Sequence, residues 1–176
     1  IIENQFTQTV EAVSKVAGWA VDRKIILAIA STYVAAGKMF DTEKFKAVIE
    51  EMKNQTSWMS PLRTSIGFSI AANSFIGAQF LTENENDKRA HAQTARALYE
   101  AIRKHHRFLT SFDDIPYTVL LSSPNDDVVL RAETMNRYYK ELRTYQFSAG
   151  NELQWLSQIL TFLSATYDSN LVSTVA

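Results

Sequence analysis

Three histidines are the first residues to test for chemistry, because imidazole titrates near neutrality and binds metals. His105 and His106 are adjacent, with His91 upstream. Neighbouring residues on a helix point about 100° apart, so this pair does not converge easily on one ion. No His-Glu-x-x-His or Glu-x-x-His spacing is present, and the absence of cysteine removes thiolate zinc, iron–sulfur ligation and thiol nucleophiles together. The sequence therefore assigns no metal and no cofactor. A hydrolase would have to use His105 or His106 with Asp113 or Asp114 across an elbow of the chain, and this is the alternative reading of function. Glycine-rich phosphate loops and the Gly-x-Ser-x-Gly nucleophile elbow are missing.

The carboxylate pairs Asp113-Asp114 and Asp126-Asp127 could serve acid–base work or hold a divalent cation. Each also stands where a helix should begin, and aspartate there accepts hydrogen bonds from unpaired amides and meets the positive end of the helix dipole. Capping is the reading favoured for both. The run Arg103, Lys104, His105, His106 and Arg107 could touch phosphate, but cations at a helix C-terminus equally complement the dipole. Nucleic-acid contact through that run is the third reading.

Asn151, Gln154, Ser157 and Gln158 form the pattern that capping and core packing explain least. Their spacing lays uncharged hydrogen-bonding groups along one side of a helix, beside Trp155. Solvated faces usually carry Lys and Glu, so an amide row next to an indole suits contact with a peptide backbone or another helix. Asn151, Gln154, Trp155 and Gln158 are the candidate binding residues. The row should face solvent while Leu153, Leu156, Ile159, Leu160 and Leu163 hold the helix to its neighbours, so lysine at the three amides should leave stability nearly unchanged.

Helices must position all of these groups. Ile2, Phe6, Val10, Val13, Ala17 and Ala20 recur at helical spacing, predicting a helix to about Val21. Asp22 caps a second helix that stops at Gly37; Asp41 and Thr42 open a third; Ser60-Pro61 opens a fourth, running to about Phe80. The polar stretch 82–87 reads as a loop and a possible internal boundary, with the next helix starting at Asp87. Asp113-Asp114-Ile115-Pro116 and Pro124-Asn125-Asp126-Asp127 open two more, and Gly150-Asn151 leads the last, Leu153 to about Thr166. The tail 168–176 has no periodicity and should fray.

Composition agrees with helix. Five glycines and three prolines in 176 residues are too few for the turns of an all-β sandwich or barrel. With 46% apolar residues the chain can bury a core, and 18 basic against 19 acidic residues announce no polyanionic partner. Its apolar runs fall short of the roughly 20 residues that span a bilayer, so no membrane insertion is expected. The opening Ile1-Ile2-Glu3, without a leader, suggests a piece of a longer protein.

Phe45, Val48, Ile49, Met52 and Trp58 align over Ala95, Leu98, Tyr99, Ile102 and Phe108 with one constant offset. A third set, Met135, Tyr138, Tyr139, Leu142 and Phe147, matches except for a final step one residue shorter. The implied unit is helix, aromatic elbow, helix, with Trp58, Phe108 and Phe147 buried in their elbows. Phe108→Ala should then cost about 3–5 kcal/mol. The expected fold is all-α, a single domain over 1–176 of about eight helices in stacked antiparallel hairpins, either α-solenoid-like or a compact helical bundle.

Two segments carry a family likeness. Leu109-Thr110-Ser111-Phe112-Asp113-Asp114-Ile115-Pro116 and Gly150-Asn151-Glu152-Leu153-Gln154-Trp155-Leu156-Ser157-Gln158-Ile159-Leu160 flank a helix containing Arg137-Tyr138-Tyr139-Lys140-Glu141-Leu142. In this pattern, from about Phe45 to Ser164, the chain resembles an uncharacterised bacterial family catalogued as domain of unknown function 4003. The resemblance implies a helical fold in a bacterial cytoplasmic setting and carries no reaction across. The reading of function is a helical-repeat module that binds a protein or peptide without catalysis.

Overall fold

Helix starts follow the aspartates. Asp22 accepts the Lys24 amide at 2.7 Å, and Asp41 accepts those of Glu43 and Lys44 at 3.0 Å, supplying oxygens to N–H groups that lack intrahelical partners. In this computed structural model, which describes residues 2–19, 21–56, 65–81 and 85–176, the chain is all-helical, and no strand occurs among the described residues. The elements are α1 (Ile2–Ala17), α2 (Arg23–Ala35), α3 (Thr42–Thr56), α4 (Ser65–Ala78), α5 (Glu85–His105), a 3₁₀ turn (Phe112–Asp114), α6 (Ile115–Leu121), α7 (Val128–Thr144), α8 (Asn151–Ile159) and α9 (Ser169–Val175). None of the described helices is long and apolar enough to cross a membrane. The expected helix start at Ser60-Pro61 and the elbow residue Trp58 lie outside the described residues.

Contacts divide the chain into two units, Ile1–Arg89 and Ala90–Ala176, with α5 beginning in the first and running through the second. In the first unit α1 packs on α2 and α3 on α4, with α1 also touching α3. Gly37 closes the α2 end at φ 64, a backbone conformation open to glycine because it lacks Cβ. Phe45 anchors the α3–α4 pair, its ring 5.3 Å from that of Phe75 and 4.9 Å from that of Phe40.

The second unit is built on two apolar clusters. Leu98, Ala101 and Ile102 of α5 meet Leu121, Ala132 and Met135, while Tyr138 and Leu142 of α7 meet Leu153 and Val172. The apolar stripes predicted for α3, α5 and α7 are core residues, except that Tyr139 is half-buried at the edge of its cluster. The elbow aromatics are not equivalent: Phe147 is half-buried against the α7–α8 cluster, whereas Phe108 is 98% exposed. Here Thr110, whose amide and hydroxyl both bond the His106 carbonyl at 2.9 Å, closes the α5 end, so the elbow is held by backbone and leaves the phenyl ring outside.

Two expectations about the C-terminal region also change. The last long helix stops at Ile159, because Thr161 and Phe162 bond back only three residues and Arg131 of α7 donates to the Thr161 carbonyl. The tail, expected without periodic structure, carries α9: Asp168 caps it through the Asn170 amide, Val172 is buried, and the Asp168 amide donates to the Tyr138 hydroxyl at 2.8 Å. Tyr167 supports that junction, donating to Glu141 while the Arg137 guanidinium lies 3.5 Å from its ring centroid.

Candidate functional site: a buried aspartate held by two glutamines

Ser111 and Asp114 form a reciprocal cap. The Ser111 hydroxyl accepts the Asp113 amide, and the Ser111 amide donates to Asp114 Oδ2 at 2.9 Å. Capping thus uses one carboxylate oxygen and leaves Oδ1 facing inward. Across from it, α8 brings the side-chain amides of Gln154 and Gln158, whose Nε2 atoms donate to Oδ1 at 2.8 and 2.7 Å. Residues four apart share a helix face, so both reach one oxygen.

All three side chains are buried: Asp114 is 1% exposed, Gln154 0% and Gln158 1%. This overturns the expectation of an accessible amide row. Ser157 is buried with them, Asn151 and Trp155 are half-buried, and Trp155 stacks on Tyr117 with ring centroids 5.8 Å apart. The apolar residues respond to that orientation. Leu153, Leu156 and Leu160 pack inward, but Ile159 and Leu163 are exposed. α8 therefore turns its polar stripe of Gln154, Ser157 and Gln158 inward alongside Leu153, Leu156 and Leu160, and leaves Ile159 outside.

Burial pushes the Asp114 carboxyl above its ordinary range, against the Ser111, Gln158 and Gln154 hydrogen bonds that favour the charged form, with Asp113 adding to the rise. Tyr99 is raised to about 12 by burial, with Arg103 opposing and Asp114 adding. Both glutamine Oε1 atoms are buried without a hydrogen-bond partner.

The other candidates separate from this cluster. His106 is buried, its Nε2 3.3 Å from Asn136 Oδ1 and its ring edge-on to Tyr139 at 4.4 Å, so it is engaged by α7 and not by Asp114. Burial lowers its pKa. His105, Lys104 and Arg107 are exposed, and His91 Nε2 lies 3.0 Å from the Val119 carbonyl, joining α5 to α6. Asp127 accepts the Leu130 amide as the α7 cap, while Asp126 takes a two-point bond from Arg131, 2.5 Å from Nε and 2.9 Å from Nη2. Among the described residues no group of three His, Cys, Asp or Glu could hold a metal ion.

The paired segments are also those on which the family likeness rests, since Asp114 belongs to one and Gln154 to the other. The model of the family described as protein of unknown function (DUF4003) matches residues 10–83 and 74–176. The chain belongs to DUF4003. No curated protein and no solved structure matches it. For this DUF4003 chain, sequence spacing singled out Gln154 and Gln158 but missed Asp114 as their partner and Arg131 as the clamp on α8. Asp114 did carry a signal, being the second acid of a Ser-x-x-Asp cap.

Proposed function

We propose that this chain is a protein- or peptide-binding module without chemistry of its own, and that its contact surface is the end of the second unit where α7 begins and α8 stops. The observation that carries this reading is a group of large apolar side chains left in solvent there: Phe162 is 52% and Leu163 89% exposed, joined by Ile159, Val129 and Leu130. Large apolar side chains exposed on two segments that Arg131 ties together are the kind of surface that marks interaction sites. Arg131 holds the two edges together, binding Asp126 on the α7 side and the Thr161 carbonyl on the α8 side. Gln154 and Gln158 serve the surface indirectly, by fixing α8 to Asp114. A bacterial cytoplasmic setting, implied by the family resemblance, goes with this reading.

The test is affinity capture from native extract with wild-type bait and with a Phe162→Asp, Leu163→Asp double variant. The variant should melt at the wild-type temperature and lose the captured partner. Equal capture by a folded variant would place the contact surface elsewhere.

A further inference from the structure

We propose that Asp114, Gln154 and Gln158 form a proton-binding switch in which the carboxyl takes up a proton and one glutamine amide turns over with it. In the arrangement seen, Oδ1 faces two N–H donors, at 2.8 and 2.7 Å, and Oδ2 faces the Ser111 amide at 2.9 Å, a set suited to the anion alone. Yet among the described residues the charged group acting on this carboxyl is Asp113, and the Arg103 cation of α5 acts on Tyr99 instead. Its own segment supplies Asp113, α5 supplies Tyr99, α6 supplies Tyr117, and α8 faces it with uncharged amides. A buried anion whose charged neighbour is another carboxylate favours taking up a proton.

The orphaned oxygens show how that proton is accommodated. A neutral carboxyl needs an acceptor for its O–H, and the two Oε1 atoms are buried and unpaired on the very side chains that reach it. A half-turn of one amide about its Cγ–Cδ bond exchanges Nε2 for Oε1 and converts N–H···O⁻ into O–H···O=C. The carboxylate gains one proton from solvent, and no covalent bond other than O–H forms or breaks. Ser111, bonded to Oδ2, is only half-buried, so the cluster lies one residue from water. The ionised form ties α8 to the 3₁₀ turn through two amide donors. The neutral form keeps one donor and reverses the other, so the seating of α8 follows pH.

Nuclear magnetic resonance of the full chain, labelled with carbon-13 at aspartate and nitrogen-15 at glutamine, tests the switch. The Asp114 carboxyl carbon should titrate above the ordinary aspartate value of about 3.9. The side-chain amide signals of Gln154 or Gln158 should shift with the same midpoint. Asp114→Asn, which supplies one donor and one acceptor in place of the acid, should abolish that glutamine titration. A carboxyl that titrates at or below the ordinary value overturns the proposal. So does a high carboxyl midpoint with both glutamine amides unmoved. The wild-type titration decides between these outcomes even if the variant fails to fold.

Discussion

Gln158 donates its side-chain amide to Asp114 across 2.7 Å, although 44 residues of chain separate them. Together with Gln154 this bond fixes which face of α8 points inward. Gln158→Leu keeps most of the volume but removes a donor from a buried carboxylate. The loss should be about 1–3 kcal/mol by urea denaturation near neutrality, and smaller in acid, where Asp114 is neutral. An unchanged midpoint would mean that the cluster does not seat the helix. Lysine at Gln154 and Gln158, which an exposed amide row would tolerate, should likewise destabilise the fold, because each ammonium group would enter a site closed to solvent.

Phe108 gives the opposite expectation. Its ring is 98% exposed, so Phe108→Ala should change stability by no more than about 0.5 kcal/mol, in place of the large loss a buried elbow would show. A melting curve of the single variant settles the matter, and a drop of several degrees would restore the buried elbow.

Arg131 is a buried cation with three acceptor atoms. Removing it as Arg131→Met strands the Asp126 carboxylate and the Thr161 carbonyl, and should cost about 3–5 kcal/mol by denaturation. Pairing it with Asp126→Asn should recover part of that loss, since the stranded charge is then gone. A double variant as unstable as the single would assign the damage to packing alone.

His106 should impose a pH dependence of definite sign. Burial lowers its pKa, opposed by the Asn136 bond and reinforced by His105 and Lys140, so the folded protein keeps it neutral at a pH where the unfolded chain binds a proton. Its contribution is present above the unfolded value near 6.5 and is lost as pH falls through the region between that value and the lower folded one. His106→Phe keeps a ring beside Tyr139 and removes the titration. Its stability should therefore fall less steeply than wild type on acidification below that value, measured by denaturant midpoints across pH. Parallel profiles would remove His106 from the account. Asp114 has the reverse sign: with its folded pKa raised, its contribution is full below the unfolded value and diminishes as pH rises towards the folded one.

The sequence alone determined the features that a residue settles with neighbours one turn away. Asp22, Asp41 and Asp127 each begin a helix because their carboxylates reach amides two or three positions on, and the stripes of α3, α5 and α7 follow from 3.6-residue spacing. The cap at Ser111 and Asp114 belongs to the same class. Tertiary structure alone decided the rest. A glutamine row reads the same whether water or a carboxylate meets it, and the carboxylate that meets Gln154 and Gln158 lies 40 and 44 residues away. The periodicity of α8 allows it to continue past Ile159, and it ends there because Arg131, 30 residues earlier, engages the Thr161 carbonyl. Phe108 lies outside because the backbone closed the elbow beneath it, and α9 is held because Tyr138 reaches Asp168. Each of these outcomes depends on a hydrogen-bond partner distant in sequence, and no local pattern of residue types specifies which distant group will arrive.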